Sequence, residues 1–162
     1  IALYGYYAGA ATTDLFIYKF TTKEDGEGSN RITEVRCSAY DLSEVVALEP
    51  YYNSYVGYAD YFLSMEIVTE KPSPTLHFDI FPEYMIEEKG LDYIRESLLE
   101  YSYTSSPDWA LCNYGNRYVV CGMAEDENGY VGEMFVSDVV TFAKEQTSDA
   151  KVFVDTYKDW VN

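Results

Sequence analysis

Apolar and polar positions alternate over several stretches of the chain. Tyr61, Leu63, Met65 and Ile67 alternate with Ser64 and Glu66, and Leu76, Phe78 and Ile80 alternate with His77 and Asp79. A period of two is that of a half-buried β-strand, and the turn Lys71 to Pro74 between these two runs predicts a hairpin. Ile32 to Tyr40, Glu44 to Leu48, Arg117 to Ala124 and Tyr130 to Phe142 also read as strands, the last two around Asp126, Glu127, Asn128 and Gly129, a turn suited to positive φ. Between residues 82 and 102 the period changes. Leu91, Ile94, Leu98 and Tyr101 recur at three and four residues with acids on the other faces, which predicts a helix interrupted at Gly90 and packed through Leu91, Ile94 and Leu98. Asp149 to Val161 reads as a short helix or as the first strand of another unit.

The ends of the chain share a pattern. Ile1 to Tyr7 and Leu15 to Thr22 are apolar and aromatic around the small residues Ala8 to Thr13, which predicts a hairpin. Lys23 to Asn30 is polar, with two glycines, and has the composition of a linker. Setting Gly5 against Gly122 places Ala2, Leu3 and Tyr4 on Val119, Val120 and Cys121, and Phe20, Lys23 and Glu24 then meet Phe142, Lys144 and Glu145. The expected organisation is therefore the final hairpin of a preceding module at 1–26, a complete module at 31–146 with a helical insertion near 82–102, and a linker or the start of a next unit at 147–162.

The stretch Cys112 to Ala124, CNYGNRYVVCGMA, resembles the passage from strand E to strand F of fibronectin type III domains. Tyr118 stands at that family's tyrosine position and Ala124 six residues later, while Cys112 replaces the usual leucine and Tyr114, Gly115 and Asn116 replace the usual Pro-Gly-Thr turn. The endings Lys19-Phe-Thr-Thr-Lys-Glu and Thr141-Phe-Ala-Lys-Glu resemble final strands of such modules in Bacteroidetes-type surface lipoproteins. The resemblance implies a mainly β fold, an antiparallel Ig-like sandwich with a helical insertion, in which Tyr118 is buried and its hydroxyl bonds backbone a few residues upstream. The alternative from the residue pattern is an α+β fold. The resemblance also implies an extracellular or cell-surface setting, attached to a membrane only through a lipid anchor upstream of Ile1.

Composition narrows the function. The chain has 162 residues, with 18 Tyr, 8 Phe and 2 Trp, enough for a packed core without metal or disulfide staples. Its formal net charge of −17 repels nucleic-acid phosphate and anionic headgroups, so direct nucleic-acid binding is excluded as an expectation. No apolar run is long enough for a transmembrane segment. Cys37, Cys112 and Cys121 show no metal spacing and leave at least one thiol unpaired. Cys112 and Cys121 could bond only with Cα atoms within about 7 Å.

Candidate chemistry is sparse. His77 is the only histidine, and its alternating position beside Asp79 predicts a solvent-facing side chain. Asp126 to Gly129 lacks the spaced ligands and closing acid of a calcium loop. No catalytic residue, cofactor or metal site is expected, and the chain is expected not to be an enzyme. The densest unusual feature is Tyr51, Tyr52, Tyr55 and Tyr58 in a segment with Asn53, Ser54 and Asp60. Tyrosine gives large contact area and a hydroxyl at small entropic cost, so these four are the candidate contacts for a protein or glycan partner. The expected role is a non-enzymatic interaction or spacer module. The alternative is an acidic intracellular inhibitor that mimics nucleic acid or neutralises a basic partner.

Overall fold

The computed structural model describes residues 28–73, 75–101 and 105–161, together with four two-residue strands near the N-terminus. Those are β1 (Ala2–Leu3), β2 (Tyr6–Tyr7), β3 (Ala10–Ala11) and β4 (Phe16–Ile17), with β1 antiparallel to β4 and β2 to β3. The rest of the 1–26 hairpin unit lies outside the described residues. After it come β5 (Ile32–Asp41), α1 (Leu42–Leu48), a 3-10 turn (Pro50–Tyr55), β6 (Tyr61–Thr69), β7 (Leu76–Pro82), α2 (Glu83–Lys89) and α3 (Leu91–Tyr101). β8 (Asp108–Cys112), β9 (Tyr118–Ala124), β10 (Phe135–Val136) and α4 (Ala150–Tyr157) complete the order.

The fold is α+β, with two three-stranded antiparallel sheets ordered β5-β6-β8 and β10-β9-β7. Period-two alternation assigns the faces. Tyr61, Leu63, Met65 and Ile67 of β6 share one apolar cluster with Phe78 of β7 and Tyr118, Val120 and Ala124 of β9. The opposite face of the first sheet, with Tyr40 and Phe62, packs on Leu42 and Val45 of α1, Tyr52, and Ala150, Phe153 and Tyr157 of α4. The opposite face of the second, with Phe81, Val119, Cys121 and Met123, packs on Ile94 and Leu98 of α3. A strand covered on both faces has no polar side to offer, which is why every residue of β9 is buried. Among the described residues no helix is long and apolar enough to cross a membrane.

Several expectations are corrected. Glu44 to Leu48 is helical because Asp41 caps α1, accepting from the Ser43 and Glu44 N–H groups, and this local signal overrides the β-propensity of Val45 and Val46. β6 and β7 do not form a hairpin, since each pairs in a different sheet. The fully buried Asn30 holds the crossing between them: its amide donates to the Lys71 and Glu125 carbonyls, and its Oδ1 accepts from the Lys71 N–H. Within Tyr130 to Phe142 only Phe135 and Val136 form a strand, with isolated bridges at Val131 and Val140. Leu91 is exposed while Ile94 and Leu98 are buried. His77 faces inward, with Nε2 2.9 Å from Glu125 Oε1. Gly90, at φ 79°, separates α2 from α3, as the sequence predicts. The residues after 146 form α4, whose Phe153 ring stacks on Phe62 with centroids 4.5 Å apart.

Candidate functional site

Sheet register places three connections at one end of the molecule. Asp41 at the end of β5, Tyr61 at the start of β6 and Cys112 at the end of β8 are neighbours across the first sheet. Pro82 and Tyr118 are paired at the matching end of the second. The segment from α1 to Tyr61, the β8–β9 turn and the start of α2 therefore emerge together.

Tyr118 anchors this end. It is buried, and its hydroxyl accepts from the Asn113 N–H at 3.0 Å, closing the β8–β9 turn on itself. Tyr114 in that turn stacks on Tyr61 with centroids 5.1 Å apart, donates its hydroxyl to Asp41 Oδ2 at 2.7 Å, and donates its N–H to Asp60 Oδ2 at 2.9 Å. Asp41 also accepts from the Ser43 hydroxyl, and Lys144 Nζ stands 3.6 Å from Oδ2. Burial alone would push the Asp41 carboxyl up; the bonds from Ser43, Tyr114 and the Glu44 N–H, with the Lys144 charge, outweigh it and hold the group below its ordinary value. Burial, and then the bond to Asp41, push Tyr114 well above the usual phenol range. Asp41, Asp60, Tyr114 and Lys144 line a pocket of about 370 Å³ with Val56 and Gly57.

The tyrosines named from the sequence divide sharply. Tyr52 is fully buried and meets Phe62, Phe153 and Trp109 edge to face; it presents nothing to a partner. Tyr55 is half-buried against Phe62 and Trp109. Tyr51 is 54% exposed and Tyr58 is 78% exposed. The hydrogen bond from the Tyr58 N–H to the Tyr55 carbonyl, with Val56 at φ −61°, ψ 127° and Gly57 at φ 92°, makes residues 55–58 a type II turn, which needs positive φ at its third residue. Tyr52 and Tyr55 thus fix the base, and the turn holds Tyr58 out beside Val56, itself half exposed.

No protein-family model matches the chain, and no curated protein or solved structure matches it. The site therefore rests on its own geometry. Asp41, Tyr114 and Lys144 were not singled out by sequence reasoning. The signal for Asp41 was present in Asp41-Leu-Ser-Glu44, an acid three residues ahead of a glutamate at a helix start, but pairing with Tyr114 and Lys144 joins positions over 70 residues apart and has no local mark. Burial holds the thiols unreactive, pushing Cys37 and Cys121 up to about 11 and Cys112 up to about 12; all three are free. Among the described residues no group of three or more His, Cys, Asp or Glu is placed to hold a metal ion.

Proposed function

We propose that this chain is a contact module of an extracellular or cell-surface protein, working without turnover through the turn that carries Tyr58. The observation that carries this reading is the pairing of an exposed Tyr51 and Tyr58 with a base locked by Tyr52 and Tyr55. Most of the ordering cost of a binding loop is met in advance by such a base, and exposed tyrosines supply area with few rotatable bonds. Asn53, Ser54 and Gly57, all exposed, give the segment the composition of adaptable binding loops.

A fibronectin type III-like relationship is supported by strand order and by Tyr118. Taking β5, β6, β7, β8, β9 and β10 as A, B, C, E, F and G gives A-B-E in one sheet and G-F-C in the other, with α2 and α3 in place of D. The Tyr118 hydroxyl closes the chain at the E–F corner five residues upstream, as a tyrosine corner does. A surface setting suits buried thiols that resist oxidation, and a non-enzymatic role suits a single histidine buried against a glutamate.

The partner is sought by affinity capture from the producing organism's envelope fraction, comparing the native chain with Tyr51→Ala and Tyr58→Ala. Retention of a species by the native chain and its loss from both variants, at unchanged Tm, is the expected result. Equal retention by all three would remove this loop from the interface.

A further inference from the structure

The β8–β9 turn lines a second pocket, about 580 Å³, whose other wall is the junction of β7 and α2. Glu83 and Tyr84 stand on one side; Asn113, Asn116 and Arg117 stand on the other. The two walls are tied. Arg117 Nε and Nη2 donate to Glu83 Oε2 at 2.5 Å and Oε1 at 3.1 Å, and the Glu83 N–H donates to the Arg117 carbonyl at 3.0 Å. A planar fork-to-fork pair is held in one geometry, so the pocket keeps its shape without a ligand.

We propose that this pocket binds a neutral saccharide. Its chemistry decides against other small ligands in turn. The guanidinium is already matched by a carboxylate, so the pocket offers no net charge, and the −17 of the whole chain repels anions. A cation would meet Arg117. A purely apolar ligand would strip water from two amides, a carboxylate and a guanidinium without replacing their hydrogen bonds. A ring bearing several hydroxyls satisfies them all, because each hydroxyl both donates and accepts. Asn113 and Asn116 carry amides that do the same, Asn116 Nδ2 using one N–H on the Tyr118 hydroxyl at 3.4 Å and keeping its other N–H and its oxygen. Arg117, with its side chain 59% exposed, has N–H groups left over from the Glu83 pair. Tyr84, 59% exposed, supplies a flat apolar face for the C–H side of such a ring. The volume falls within the range of small-ligand sites. This site is separate from Tyr51 and Tyr58 and does not depend on their role.

Titration calorimetry on the whole chain with cellohexaose, xylohexaose, mannohexaose and maltohexaose, and a heparin-derived oligosaccharide as charged control, tests the proposal. At least one neutral oligosaccharide should bind. Tyr84→Ala and Asn116→Ala should each weaken that binding about tenfold or more at unchanged Tm. Tyr84→Phe, which keeps the ring, should stay near the native affinity, and Val152→Ala, at an exposed position on α4, should leave saccharide binding unchanged. The proposal is overturned if no neutral oligosaccharide binds, if the heparin fragment binds more tightly, or if Tyr84→Ala binds as the native chain does.

Discussion

Three polar side chains at one end of the sheets show how a single atom's partner sets its contribution. The Tyr118 hydroxyl has the Asn113 N–H; the hydroxyl of the more deeply buried Tyr52 has no hydrogen-bond partner among the described residues. Net hydrogen bonds contribute about 1 kcal/mol, and a buried hydroxyl without one costs a similar amount. Tyr118→Phe should therefore lower unfolding stability by about 1–2 kcal/mol, while Tyr52→Phe should leave it level or raise it by up to about 1 kcal/mol. Urea denaturation of both variants separates them. Asp41 adds a pH dependence. Because its folded carboxyl titrates below its ordinary value near 3.8, its contribution is full above that value and is lost as pH falls through the lower, folded one. Asp41→Asn should cost about 1–2 kcal/mol at neutral pH, with the gap to the native chain closing on acidification below the ordinary aspartate range. A gap that stays constant with pH would mean that the charge of Asp41 is not what stabilises this corner.

Among the elements, legibility followed locality. The strands at Tyr61 and Leu76 declare themselves by alternation and those at Ile32 and Tyr118 by their β-branched and aromatic content, and the α2–α3 break is written in Gly90. What alternation does not say is which strand pairs with which. β6 and β7 are adjacent in sequence, yet the chain between them changes sheet, and the residue that holds the crossing, Asn30, lies 41 positions from its partner Lys71. His77 departs from its expected solvent-facing position for a related reason. Alternation on β7 gives a polar position, but both faces of this sheet are covered, so the polar side chain is buried and finds Glu125. The tyrosine segment was legible as a cluster and not as an arrangement: spacing alone does not tell Tyr52, under Phe153 and Trp109, from Tyr58 at the tip of a turn. The helix α4 carries the ring that completes this base. Phe153 meets Tyr40, Tyr52, Phe62 and Tyr157 with centroids between 4.5 and 5.5 Å. Phe153→Ala should cost about 3–5 kcal/mol and loosen the Tyr52–Tyr58 segment with it. Hydrogen exchange reads both effects: the amides of residues 51–58 should lose protection along with those of α4, and unchanged protection at 51–58 would show that the loop stands without that base.

Across the described residues, two sheets share one apolar cluster on their inner faces and cover their outer faces with helices, and the connections at one end carry side chains that are both exposed and held. Tyr58 is the most exposed large apolar or aromatic side chain described, on a turn whose base is packed through Tyr52 and Tyr55, which suits it to a contact role. The most direct measurement is site-specific photocrosslinking in the producing cells, with a benzophenone amino acid at position 58 and, as controls, at exposed positions 99 and 139. A contact role for Tyr58 requires a discrete adduct from position 58, absent from 99 and 139, suppressed by excess native chain and not by excess Tyr51→Ala, Tyr58→Ala double variant. The same adducts at all three positions, or equal suppression by the double variant, would contradict it.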